Sequence, residues 1–349
     1  MSTKKINKKD ELEAQSSTAT LESSGKTLQS CLDDCEVDLK VWEVDHYSIE
    51  ENSKGFNYKV YLRKKAPLLQ DINSIKDELR GLVKVPTKIE YKRRNDGLLL
   101  EFAPFDLHWA KLSWGKESGE DYDMKEAGIA LNKSIDYTLG MAAKFNIGRI
   151  VFPFGQDFFQ IDNEAGTTTG GTPQDTDSRF KKIIKEGRKI VISTIEKLKS
   201  VAPVDVVIVQ GNHGRMAEFQ LGDLLEVKYE NDASVTVNND PTDRKYYSFG
   251  KNLILYTHGD SEKMDSLPLI MATSRPKEWG EAKHRYIKIG HFHQERMKEF
   301  CGVKLEILPS LSATDAWHAR KGYVNNIRGV SSAIYDREMG IISKIYFNL

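Results

Sequence analysis

From residue 98 onward, short apolar runs alternate with amphipathic stretches. Leu98–Phe105, Ile147–Phe152, Val204–Val209, Leu253–Tyr256 and Tyr286–Ile289 are mostly apolar, and their length suits strands buried on both faces. Between them, Phe180, Ile183, Ile184, Ile190, Val191, Ile195 and Leu198 form one stripe, with Lys and Arg on the other side, which predicts an amphipathic helix. Ser134–Phe145 predicts a second. Strands alternating with helices indicate an α/β domain. Val303–Leu308 predicts a further strand, and Ala333–Phe347 predicts two more joined by a turn near Asp336–Gly340. These late strands are expected to form a second sheet packed on the first. No internal repeat is visible.

The first hundred residues follow a different pattern. Residues 1–36 are rich in Ser, Thr, Lys and Glu with no clear apolar period, and are expected to be a disordered polar tail. A helical register through Leu21, Leu28 and Leu32 is weak. Residues 37–96 read as a small α+β accessory module. Phe56–Leu62 alternates like a strand, Ile72, Ile75, Leu79 and Leu82 place a helix over Leu69–Leu82, and Asn95-Asp96-Gly97 is a turn signal. Residues 97–349 are then the main domain.

Composition narrows the classes. The chain of 349 residues carries 51 Lys and Arg against 51 Asp and Glu, which excludes a uniformly cationic field. The balance hides a local excess: Arg63, Lys64 and Lys65, then Lys92, Arg93 and Arg94. That stretch fits either a solvated face or a contact surface for a phosphate backbone. Cys31, Cys35 and Cys301 lack the partners of a zinc finger, and three cysteines make no disulfide framework. No signal peptide and no membrane-length apolar stretch is seen, so a cytoplasmic location is expected.

The chemistry-bearing residues fall at strand ends. Asp106-Leu107-His108 follows the first apolar run, Gly155-Gln156-Asp157 the second and Gly211-Asn212-His213 the third. His258-Gly259-Asp260 follows the fourth, and Gly290-His291-Phe292-His293 the fifth. In open α/β sheets the carboxyl ends of strands form the ligand crevice, so these loops can converge. Each motif is weak alone. Five of them in order, holding five of the eight histidines, form one constellation.

This order resembles that of the calcineurin-like metallophosphoesterases, over roughly residues 98–349. That family includes protein phosphatases, cyclic-nucleotide phosphodiesterases and SbcD-type DNA-repair nucleases. Thr257–Asp265 with Leu311–Tyr323 is also similar to phage-encoded members described as DNA-repair exonucleases. The resemblance implies two packed mixed sheets flanked by helices, and two divalent metal ions. It puts Asp106, His108 and His293 on the first ion and Asn212, His258 and His291 on the second, with Asp157 bridging. His213 would bind no metal and would sit by the leaving oxygen. Two departures stand out. Gln156 intervenes where the family writes Gly-Asp, which leaves Asp162 as the fallback bridge. Gly214 and Arg215 replace the acid that normally follows Gly-Asn-His.

Two such ions, about 3.5–4 Å apart, neutralise a phosphate and activate water. Ligation by His, Asp and Asn without thiolate suits manganese, with iron or zinc as alternatives. Arg215, His318 and Arg320 are candidate substrate contacts, and the Gly/Thr-rich insert Asn163–Asp177 is a candidate mobile loop beside the bridging carboxylate. The expected function is phosphoester hydrolysis, with nucleic acid as the substrate. The alternatives are a small-molecule phosphatase or cyclic-nucleotide phosphodiesterase, and a binding module without catalysis. Every expected ligand position is filled, which argues against the last.

Overall fold

A computed structural model describes residues 18–25, 27–39, 42–52, 55–64 and 97–349. The chain divides into two compact units, Met1–Thr87 and Lys88–Leu349.

In the first unit, β1 (Thr18–Gly25), β2 (Trp42–Asn52) and β3 (Gly55–Lys64) form an antiparallel sheet in the order β1-β3-β2. Tyr58, Val60 and Leu62 alternate along β3 and bury one face against Cys31, Leu32 and Trp42. The helix α1 (Leu28–Asp34) carries the two buried residues Cys31 and Leu32, and Thr27 and Ser30 close a capping box at its start. Residues 18–25 and 28–34 therefore correct the expectation of a disordered tail over 1–36. Their polar composition hides a strand stabilised by pairing with β3 and a helix stabilised by the packing of Leu28, Cys31 and Leu32. Residues 1–17, the helix expected over 69–82, Asn95 and Asp96 of the expected turn, and Lys65, Lys92, Arg93 and Arg94 lie outside the described residues. Arg63 is already neutralised, with Nη2 2.9 Å from Glu43 Oε1.

The second unit has two sheets. The first comprises β4 (Leu98–Glu101), β5 (Ile147–Gly155), β6 (Val204–Val209), β7 (Val235–Asn238), β13 (Gly329–Asp336) and β14 (Gly340–Asn348), in the order β14-β13-β4-β5-β6-β7. Strands β4 to β7 are parallel. The second comprises β8 (Lys245–Phe249), β9 (Asn252–Tyr256), β10 (His284–Ile289), β11 (Arg296–Phe300) and β12 (Val303–Ile307), in the order β11-β12-β10-β9-β8. Here β9, β10 and β12 are parallel.

The pleat sorts the core into layers. Val204, Val206 and Ile208 of β6 face α2 (Met124–Ala142), α3 (Phe180–Lys199) and α4 (Arg215–Tyr229), whereas Val207 and Val209 face the second sheet. Leu253 and Leu255 of β9 face α5 (Leu267–Ser274) on the far side, and Ile254 and Tyr256 face the first sheet. The expected α/β architecture of two packed mixed sheets flanked by helices is present. One assignment is corrected: β13 and β14 do not form the second sheet but extend the first, through Ala333 opposite Glu101 and Tyr335 opposite Leu99. Local patterning marks a strand, and only tertiary packing chooses its neighbour. No helix among the described residues is long and apolar enough to cross a membrane.

A buried polar network staples the two sheets. Glu101 of β4 accepts from Tyr256 Oη at 2.6 Å and Tyr335 Oη at 3.1 Å, and Lys288 Nζ of β10 lies 3.4 Å from it. Lys288 also donates to Glu306 at 2.7 Å, as does Lys344 of β14. Burial favours the uncharged Lys288 amine, but the two carboxylates outweigh it and raise its pKa. Removing one partner of such a network strands a buried charge. Lys288→Met is therefore expected to destabilise the fold by about 3–5 kcal/mol in urea titration, and an unchanged midpoint would contradict the staple.

Candidate functional site

The carboxyl ends of the parallel strands in both sheets point their loops toward one cleft of about 540 Å³. The loop after β4 carries Asp106 and His108, that after β5 carries Asp157, and that after β6 carries Asn212 and His213. The loops after β9 and β10 bring His258, His291 and His293. Asp106, His108 and His293 each offer one ligand atom within 4.8 Å of the others, and so do Asp157, His258 and His291.

The backbone is bent to achieve this. Asp106, His108, Asp157, His291 and His293 all have φ between 49° and 68°. Non-glycine residues held there cost on the order of 1–3 kcal/mol each, and such strain gathers at functional sites. Two glycines make room: a Cβ on Gly290 would stand 2.6 Å from Asp106 Oδ2, and one on Gly211 would collide with the Asp157 carboxylate.

Hydrogen bonds then aim the donors. The His291 amide donates to both oxygens of Asp106 at 3.0 Å, and the His213 amide donates to Asp157 Oδ1 at 2.7 Å. His108 Nδ1 lies 2.7 Å from Gln160 Oε1, which assigns the proton to Nδ1 and leaves Nε2 facing His293 Nε2 at 3.0 Å. His258 Nε2 lies 3.0 Å from Asp157 Oδ2 and 2.8 Å from Asn212 Oδ1, while its Nδ1 lies 3.2 Å from Gln156 Oε1. Gln156, the residue that interrupts Gly-Asp, thus orients a histidine on another sheet. Holding the second ring nitrogen is how proteins fix a metal-binding imidazole.

The electrostatics show how crowded the cluster is. Burial pushes Asp106 up to about 7, although the charge on His258 pulls it down. Burial would also raise Asp157, but His258 outweighs it through charge and hydrogen bond and holds this carboxyl below the usual range. The same pair lifts His258 to about 9 against the effect of burial. Burial, with neighbouring cations, holds His108 and His293 well below the ordinary imidazole value.

His213 donates no ligand to either triad. Its ring stands edge-on to His108, with centroids 4.6 Å apart, and its Nδ1 lies 3.0 Å from the Gln160 carbonyl. A main-chain carbonyl therefore holds the ring where Gly214 leaves no acid. The fallback Asp162 lies elsewhere: it accepts from the Ala217 amide at 2.8 Å, near the start of α4. Of the expected substrate contacts, His318 lines the cleft. Arg215 does not. It sits at the first position of α4, with Nη1 bonded to Asp243 and Nη2 3.7 Å from Asp260. Arg320 is exposed and also absent from the cleft lining. The Gly/Thr-rich insert supplies part of the wall, with Gln174 accepting from Gln160 Nε2 at 2.8 Å and the Thr169 amide donating to the His213 carbonyl.

Glu218 escaped the sequence reading. Its buried carboxylate accepts from the Gly211 and Phe158 amides at 2.7 Å each, tying the Asn212 loop to the Asp157 loop. Burial, reinforced by Asp157, raises it to about 8. The available signal was a charge beside Ala217, Leu221 and Leu225 on the buried face of a helix.

Neither a protein-family model nor a curated protein sequence matches the chain. Among solved structures, an archaeal phosphodiesterase is similar at 13% identity over 72% of this chain and 99% of its own, with a TM-score of 0.33. Vps29 from Cryptosporidium parvum is similar at 14% identity, over 73% of this chain and 100% of its own, with a TM-score of 0.32. A predicted phosphoesterase from Streptococcus pneumoniae TIGR4 gives 11%, 72%, 97% and 0.27 for the same four quantities. Likenesses this distant assign no function.

Two outcomes follow from the geometry. Gln160→Ala should weaken binding of Mn(II) roughly 10–100-fold in calorimetry, because His108 loses the partner that fixes its free nitrogen. Since His258 is lifted to about 9, it carries a proton at neutral pH that an incoming ion must displace. Affinity should therefore rise with pH toward that value and fall in acid. Titrations of Mn(II) at pH 7 in buffers of different ionisation enthalpy should show net proton release, and none would contradict the assignment.

Proposed function

We propose that the chain is a dinuclear-metal-dependent phosphodiesterase acting on nucleic acid. The observation that carries this reading is the pair of abutting triads, built from loops of both sheets and open to one cleft. Two carboxylates and the imidazole and amide groups around them offer nitrogen and oxygen without thiolate. That set suits manganese, iron or zinc. Asp106, His108 and His293 would hold one ion, Asn212, His258 and His291 the other, with Asp157 between them. Bound there, the ions would supply charge neutralisation for the phosphate and a lowered pKa for water.

The chain's own residues supply the rest. Gln156, Gln160 and the amides of His213 and His291 hold the ligands before any ion arrives, so little reorganisation remains. His213, fixed through Nδ1, presents Nε2 as the proton donor for the leaving oxygen. The narrower resemblance of Thr257–Asp265 with Leu311–Tyr323 to phage-encoded exonucleases and the basic stretch near residues 59–94 favour nucleic acid. A small diester is the second reading, and one observation favours it: Lys111, the lysine of the cleft lining, is already paired with Asp315 at 3.0 Å.

His213→Ala is expected to keep its metal and lose kcat by about 10²–10⁴-fold on bis-p-nitrophenyl phosphate with Mn(II), as befits a general acid. Asp157→Asn should lose metal and activity together. If His213→Ala strips the metal, the division between ligand and acid is wrong. Cleavage of labelled DNA should weaken steeply as salt rises, because phosphate contacts by the basic stretch near residues 59–94, outside the cleft, would release counterions. Turnover of the small diester alone would favour the second reading.

A further inference from the structure

One wall of the cleft is the segment following β12, with a short helix α6 (Ala316–Arg320) that begins at Asp315. Asp315 Oδ1 accepts from the His318 amide at 2.8 Å and lies 2.7 Å from His318 Nδ1. Its other oxygen meets Lys111 Nζ at 3.0 Å. Lys111 is fully buried, so this ion pair anchors the segment from within. The His318 ring stacks on His293 of the first triad, with centroids 5.6 Å apart and planes 14° from parallel.

Two large rings ride on this anchored segment and stay uncovered. Trp317 is 51% exposed and Tyr323 48%, and both line the cleft. Their centroids are 6.2 Å apart and their planes 33° from parallel. Aromatic side chains usually bury most of their area, so a held pair of open rings beside the triads offers stacking surface.

The rest of the cleft limits what can stack there. Among the described residues that line it there is no arginine, and Lys111 is neutralised by Asp315. A groove that follows a phosphate backbone needs free cations. The cleft offers instead flat rings and the amides of Gln294 and Asn326, which suit a heterocycle with hydrogen-bonding edges.

We propose that Trp317 and Tyr323 form the stacking platform for a nucleobase, carried by the same diester whose phosphorus faces the two triads. The substrate unit is then a nucleotide, free or at a strand end. The position of the phosphate rests on the phosphoesterase reading, whereas the platform rests on the rings themselves.

The test uses the full chain with Mn(II) and two diesters sharing a leaving group: thymidine 5′-(p-nitrophenyl phosphate), which carries a base, and methyl p-nitrophenyl phosphate, which does not. Trp317→Ala should lower kcat/KM on the first roughly 5- to 150-fold, the equivalent of ~1–3 kcal/mol per stacked base, and leave the second and the metal content nearly unchanged. Tyr323→Ala should act in the same direction, and Trp317→Phe should keep most of the activity. A binding arm needs no turnover: adenosine 5′-monophosphate should bind the full chain more tightly than ribose 5-phosphate, and Trp317→Ala should close the gap. Equal loss on both diesters, or equal affinity for both monophosphates, overturns the platform. No hydrolysis of either diester with the affinity gap intact retires the phosphoesterase reading and keeps the platform. A single-stranded oligonucleotide and a 3′,5′-cyclic nucleotide, offered to the unaltered protein, tell a strand end from a free nucleotide, and Trp317→Ala must depress whichever is cleaved.

Discussion

Asp106 and Asp157 are buried together, and the rest of the second unit depends on what keeps them there. A buried carboxylate is expensive unless it is paired and hydrogen-bonded. Two in one cluster repel each other as well, and the rise of Asp106 toward about 7 records both effects. Amides from two other loops and the imidazole of His258 offset part of the penalty. A pair of divalent cations would offset far more. Strained backbone at five of the donors and room-making glycines at 211 and 290 are what a fold spends on a site, with no gain in packing.

Two sheets packed face to face make that spending feasible. Their parallel strands deliver five loops to one place, and the Glu101, Lys288 and Glu306 network holds the sheets in register behind the cleft. Polar stapling of this kind adds little net stability over a well-packed apolar interface, but it restricts how the sheets can slide. A slide would separate the His258 and His291 loops from the Asp106 and Asp157 loops. Geometry at the cleft is therefore coupled to polar contacts buried between the sheets.

Much of this was legible in the sequence, and the limits have physical causes. The strands β4, β5, β6, β9 and β10 were readable because strands buried on both faces leave continuous apolar runs, and their following loops carried donors in a consistent order. β11 was not readable, since Arg296–Phe300 is largely exposed and lacks alternation. Sheet membership of β13 and β14 depended on long-range pairing with β4, about which the local pattern says nothing. The strand and helix of residues 18–34 were hidden by polar composition. At the site, the order of the strand-end motifs marked the loops, the family resemblance implied Asp106, His108, Asp157, Asn212, His258, His291 and His293 as the donors, and these seven residues come together in space. Gln160 and Glu218 were not named, because a residue that orients a donor leaves no spacing rule. The pairing of Arg215 with Asp243 and Asp260 was not legible either, because these residues come near it only after folding.

The second unit is expected to hold two cations side by side where the five loops meet. Anomalous diffraction from crystals of the full chain soaked in Mn(II) tests it most directly. Two peaks are expected, one within bonding distance of Asp106, His108 and His293, and the other within bonding distance of Asn212, His258 and His291, with Asp157 touching both. A single peak away from these residues, or none at saturating manganese, would contradict it.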